Sequence, residues 1–240
     1  MRTIIWFIYF WCKLLLLWPE MKRAQRAEAA GDAATRDAIL QKEVVGWCSR
    51  LLRLAGATVE VVGLENIPQE PVVFVANHQG YFDIPLLLTS LDKPHGMVAK
   101  EAIGKLPIIC DWMRLLGCVF IDRSNARQSV AALGEAAQRL TQDKRSFIIF
   151  PEGTRSKGGP VGEFKSGGFK IAFKAGVPVL PVCIDGSWQL MEKNHNWIRP
   201  ASVRITILPL IPTQGLSRDE MKAIVPTVEQ QIAACLLRIC

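Results

Sequence analysis

The sequence contains no Cys-x-x-Cys pair and no histidine at metal-finger spacing, which removes the usual structural zinc frameworks. Its seven cysteines, Cys12, Cys48, Cys110, Cys118, Cys183, Cys235 and Cys240, are odd in number and scattered, so they read as reduced core residues on the cytoplasmic, reducing side. There is no Gly-x-x-x-x-Gly-Lys-Ser/Thr loop and no Gly-x-Gly-x-x-Gly after a strand, so nucleoside triphosphate and dinucleotide binding lose support. The Gly-x-Ser-x-Gly elbow of serine hydrolases is missing as well, and the cysteines lack a partner that would make one a nucleophile. Repeats, low-complexity runs and Pro/Gly/Ser linkers are also absent.

What is present is a chain of 240 residues, half of them hydrophobic, with 29 Lys plus Arg against 22 Asp plus Glu and a net charge of +7. That hydrophobic fraction offsets the entropy of ordering and excludes a disordered tail, and the length suits one domain with an appendage. A basic balance joined to positive mean hydropathy points to a membrane surface rather than to nucleic acid, because apolar anchoring and anionic headgroups act together there.

Residues 4 to 18 read IIWFIYFWCKLLLLW, interrupted by Lys13. As a helix this stretch is roughly 22 Å long against a hydrocarbon core of about 30 Å, short for a full span. Trp6, Tyr9, Trp11 and Trp18 suit the headgroup level and Lys13 can snorkel, so the segment is expected to lie in or dip into the interface; the alternatives are a buried core helix and a signal peptide. Residues 1–57 look helical throughout and are expected to form the anchor. From residue 58 to 240 the texture alternates, with strands expected at 58–63, 72–77, 97–100, 118–122, 147–150, 178–184 and 202–208. Helical stripes fall between and after them, at Val130, Leu133, Ala137 and Leu140, and from Met221 to Ile239. Near-continuous Val/Ile strands alternating with helices predict an α/β fold, a mostly parallel central sheet flanked by helices. Its chemistry then belongs in loops at the carboxyl ends of strands.

The loop after VVFVAN carries His78 and, five residues on, Asp83 ahead of Ile84-Pro85, where an acidic helix N-cap is expected. A loop held at both ends can set a carboxylate against one imidazole nitrogen and leave the other outward as a base. His95 and His195 lack this context and read as surface residues. The loop after FIIF, Pro151-Glu152-Gly153-Thr154-Arg155, has an anion binder's composition: flexible glycine, a hydroxyl at Thr154 and the donor fork of Arg155. Glu152 is left open between holding Arg155, holding a substrate hydroxyl, and standing as a solvated carboxylate. Lys100 and Arg123 also follow strands, so a parallel arrangement lets them converge with Arg155 on one anion near His78. Lys165 to Lys170 is a further candidate helix start.

In this order these loops resemble the glycerolipid acyltransferase family over residues 58 to 185. Asn77-His78 with Asp83 is similar to its first block, Gly117 to Arg123 to the second, Phe150 to Arg155 to the third and Val177 to Pro181 to the fourth. Gly80 stands where many members have Ser, and Glu101 follows Lys100 where a second Lys is common. The resemblance implies His78 and Asp83 as the catalytic pair and Arg123, Glu152, Gly153 and Arg155, with Thr154 and Lys100 beside them, as the glycerol phosphate site. Pro178 and Pro181 fall to the acyl-donor side or to packing. It implies transfer from acyl-CoA or acyl-carrier protein to the sn-2 hydroxyl of lysophosphatidate at the cytoplasmic face of a membrane, with no cofactor, metal or nucleic acid. Within the same family the rival acceptors are another lysolipid or glycerol 3-phosphate.

Overall fold

A computed structural model describes residues 1–122 and 124–239. Its strands are β1 (Ala57–Val62), β2 (Val73–Ala76), β3 (Gly96–Lys100), β4 (Val119–Ile121), β5 (Phe147–Ile149), β6 (Val179–Asp185) and β7 (Ala201–Ile207). They form one sheet in the order β1-β7-β6-β2-β5-β3-β4. Every neighbouring pair is parallel except β6 with β7. The carboxyl ends of β6, β2, β5, β3 and β4 therefore share one edge of the sheet.

Helices cover both faces, which is why the central strands are apolar at every position rather than at alternate ones. Phe74 and Ala76 of β2 enter one core and Val73 and Val75 the other. The first core lies under α1 (Arg2–Leu16), α2 (Trp18–Ala29), α3 (Ala33–Ile39), α4 (Val45–Ala55), α5 (Asp83–Ser90) and α6 (Ile109–Leu115). The second lies under α7 (Ala126–Gln142), α8 (Ser166–Ala175) and α9 (Arg218–Ile239). At the sheet's edge β1 alternates half-buried and exposed residues, and its outward Glu60 accepts from Arg204 Nε of β7 at 2.9 Å.

Residues 1–57, expected as a separate anchor, share their core with the sheet. Trp6, Leu14, Leu17 and Met21 are buried among sheet-facing residues. The Trp6 indole donates to the Leu51 carbonyl at 2.9 Å, and its ring centroid lies 5.5 Å from that of Phe82 in the loop after β2. The opposite face of α1 leaves Ile4, Ile8, Trp11, Leu15 and Leu16 exposed. Among the described residues no single helix is long and apolar enough to cross a membrane; α1 and α2, bent by 47° at their junction, meet that test only as a pair.

Candidate active site

The site is built where β2, β5 and β6 end side by side. Asn77 is buried and ties β2 to β6: its Nδ2 donates to the Ile184 carbonyl at 2.8 Å and its Oδ1 accepts the Ile184 N–H at 2.8 Å. His78 follows with its imidazole stacked on Phe150 at the end of β5, ring centroids 4.3 Å apart. Its Nδ1 lies 2.7 Å from Asp83 Oδ2.

Asp83 does not cap its helix as expected. It is the first residue of α5, after Phe82 as N-cap, and its carboxylate turns back into the loop. Oδ2 accepts the Gln79 N–H at 2.7 Å and the Gly80 N–H at 2.9 Å, while Oδ1 accepts the hydroxyl of Ser187. An oxygen that already accepts two amides is an acceptor toward the ring too, so Nδ1 carries the proton and Nε2 is left as the free base. Asp83 is fully buried, whereas the His78 side chain is 19% exposed, so the imidazole joins the interior to the opening.

The loop after β5 is laced to the His78 loop. Ser156 N–H donates to the His78 carbonyl at 2.8 Å, and Lys157 N–H to the Gln79 carbonyl at 3.1 Å. Glu152 is a buried brace: Oε1 accepts the His78 N–H at 2.6 Å and Oε2 the Gly162 N–H at 2.9 Å. It is neither a solvated carboxylate nor the partner of Arg155, and both its oxygens are taken by backbone. Burial pushes its carboxyl above the usual range, with the two amides and His78 opposing that shift and Asp83 adding to it. Arg155 instead stacks its guanidinium 3.6 Å over the centre of the Tyr81 ring and places Nη1 3.5 Å from Glu192 Oε1. The imidazole and the guanidinium thus sit on loops bonded to each other at one sheet edge.

A family model described as Acyltransferase matches residues 58–185 of the chain. The chain belongs to the acyltransferase family. A probable 1-acyl-sn-glycerol-3-phosphate acyltransferase of Mycoplasma pneumoniae is 39% identical over 65% of this chain and 59% of its own length. The chain therefore spans about three fifths of that relative. A 1-acyl-sn-glycerol-3-phosphate acyltransferase of Borreliella burgdorferi is 32% identical over 75% of the chain and 72% of its own length. The crystal structure of the 1-acyl-sn-glycerophosphate (LPA) acyltransferase PlsC of Thermotoga maritima superposes with a TM-score of 0.74 at 31% identity, covering 100% of this chain and 98% of that one.

Across this acyltransferase edge the strand order grades the other residues read from sequence. Arg155 follows β5, the neighbour of β2; Lys100 ends β3, one strand further, roughly 10 Å from the β2 line at about 4.8 Å per strand. Lys100 is exposed, and its flexible stem is free to reach back along the edge. Arg123 lies outside the described residues. Gly153 takes φ +73° in the turn that Gly153 N–H closes on the Phe150 carbonyl at 3.1 Å, and Thr154 is exposed at the rim. Pro178 precedes β6 at the opposite edge, where its carbonyl accepts the Val73 N–H at 3.0 Å, and Pro181 is buried within the strand.

His95 is a second departure from expectation. It is buried, with Nε2 2.9 Å from Asp92 Oδ1 and its ring 4.8 Å from Phe74. Lys165 directly precedes α8, in line with the expected helix start. Ser187 and Glu192, both on the segment after β6, went unread in the sequence. The signal was the same strand-end rule that found the other loops. Among the described residues no cluster of His, Cys, Asp and Glu is arranged to hold a metal ion. The Cys48 and Cys118 thiols are pushed up to about 12 by burial, which makes them unreactive.

Proposed function

We propose that the protein transfers a fatty acyl group from acyl-CoA or acyl-carrier protein to the sn-2 hydroxyl of 1-acylglycerol 3-phosphate, giving phosphatidic acid. The observation that carries this reading is the His78–Asp83 pair, 2.7 Å apart, on the loop whose Tyr81 supports Arg155. Membership of the acyltransferase family and the names of the relatives support it further.

His78 Nε2 takes the proton of the sn-2 hydroxyl as that oxygen attacks the thioester carbonyl carbon, and the imidazolium formed is stabilised by Asp83. Collapse of the tetrahedral intermediate breaks the C–S bond, and the same proton passes to the leaving thiolate. The products are phosphatidate and the free thiol, with no acyl-enzyme. Arg155 binds the acceptor's phosphate, with Lys100 and the Gly153-Thr154 turn along the same edge and with Arg123 as the further cation that the family resemblance implies, and so orients the hydroxyl. Glu152 serves by bracing the two loops. The exposed apolar face of α1 rests on the cytoplasmic membrane surface that supplies the lysolipid, with the chain's net charge of +7 drawn to anionic headgroups.

The test is purified protein in mixed micelles with lysophosphatidate and each donor in turn, followed by product mass and competition from other lysolipids and glycerol 3-phosphate. Phosphatidate with free thiol is the expected result. Release of free fatty acid without transfer, or preference for a different acceptor, overturns the assignment.

A further inference from the structure

The family match ends at residue 185, and seven residues later stands a carboxylate that the active-site loops enclose. The Glu192 side chain is only 3% exposed. Its Oε1 accepts the Tyr81 N–H at 2.7 Å and faces Arg155 Nη1 at 3.5 Å. Its Oε2 is buried with no hydrogen-bond partner among the described residues. Burying a carboxylate with one oxygen unpartnered is costly, so packing alone does not account for an acid here.

The neighbouring residues are shaped to this carboxylate. A Cβ at Gly80 would stand 2.6 Å from Glu192 Oε2 and 2.9 Å from its Cδ, so the lack of a side chain at position 80 is what lets Glu192 lie against the His78 loop. Any side chain at position 80 would displace it. The same segment is locked to the β5 loop at Gly158, where a Cβ would meet the Trp188 ring at 2.4 Å. One carboxylate oxygen thus fixes the backbone of Tyr81 and one arm of the guanidinium that lies on the Tyr81 ring, 3.6 Å from its centre.

We propose that Glu192 is a positioning residue for the acceptor's phosphate: it holds the Arg155 fork flat on Tyr81, so that the donors it leaves unused meet the phosphate already oriented. A guanidinium has five N–H donors, and one engaged by Glu192 leaves the others for a phosphate. The inference rests on the reading of Arg155 as the phosphate ligand and adds the residue that sets its orientation.

The test uses the full chain and a cycle of E192Q, R155A and the double variant. It reads the KM for lysophosphatidate and the Kd for a short-chain, non-micellar lysophosphatidate by calorimetry. E192Q keeps shape and removes charge, and is expected to raise both KM and Kd about five- to tenfold with kcat changed by less than about twofold. In the R155A background the same change is expected to add nothing. E192A, which leaves space instead of strain, is expected to act in the same direction. Unchanged KM and Kd in E192Q, or an equal further loss when Arg155 is already gone, overturns the positioning role while leaving the phosphate reading intact. If R155A itself leaves KM and Kd unchanged, the phosphate reading fails and this inference falls with it.

Discussion

Asp83 opens helix α5 yet sends its carboxylate backward, so that one oxygen collects His78 Nδ1 at 2.7 Å together with the amides of Gln79 and Gly80. The helix start supplies the anchor point and the loop supplies the donors. A loop this tightly bonded fixes both the tautomer and the direction of the free nitrogen before substrate arrives. Removing the imidazole in H78A is expected to lower kcat by about 10² to 10⁴, the usual contribution of a positioned base. D83N preserves shape but removes the charge that stabilises the imidazolium, and its kcat is expected to fall by a similar order. Thiol release by the pure variants measures both. Near-normal turnover by H78A would reject the base assignment.

Ser187 closes the far side of the same carboxylate. It is fully buried, its hydroxyl donates to Asp83 Oδ1, and it lies 3.3 Å from Gln79 Oε1. A hydrogen bond to a charged group contributes about 1.5–3 kcal/mol, and without it Asp83 has a buried oxygen lacking its donor. S187A is expected to lose stability on that scale in urea unfolding and to lose about tenfold in kcat. KM for lysophosphatidate should hold, because the hydroxyl touches no phosphate ligand. A raised KM with unchanged kcat would contradict this relay.

Glu152 gives a pH signature with a definite sign. Burial raises its carboxyl above the ordinary 4.5 despite two amide donors. A folded state that keeps its proton longer than the unfolded state loses stability as pH rises from the unfolded value to the folded one. Urea unfolding of wild type and E152Q between about pH 4 and pH 8 should show wild type losing ground to the variant through that interval and levelling off above it. A gap that moves the other way would mean that the amides and His78 dominate over burial.

How far the chain could be read in advance follows from where the forces act. Strand β2 was legible because both its faces are buried, so VVFVA runs unbroken and only its ends shift, from an expected 72–77 to Val73–Ala76. The short helix α6, Ile109–Leu115, has too few turns to show a periodic stripe. His95 looked like a turn residue beside Pro94, but Asp92 and Phe74 draw its ring inside. Glu192 was beyond local reasoning: its burial depends on Tyr81, 111 residues away in sequence, and on the missing side chain of Gly80. Helix α1 was half legible, since an apolar run serving a core on one side and solvent on the other looks the same in sequence as a simple anchor.

That two-sidedness decides how the proposed membrane contact should be tested. Deleting α1 would strip Trp6 and Leu14 from the core and unfold the protein, so lost binding would prove nothing. Ile8, Leu15 and Leu16 are instead 59%, 60% and 73% exposed, already in water in the folded state. Changing all three to Ser should leave the melting temperature nearly unchanged. If this face enters a bilayer, each side chain forgoes about 1.5–3 kcal/mol of burial, and together they should lower vesicle partitioning by at least two orders of magnitude. Sedimentation with anionic and neutral vesicles measures the loss, and the net charge of +7 predicts that raised salt weakens only the anionic case. Full vesicle binding by the folded triple variant would place the membrane contact elsewhere on the molecule.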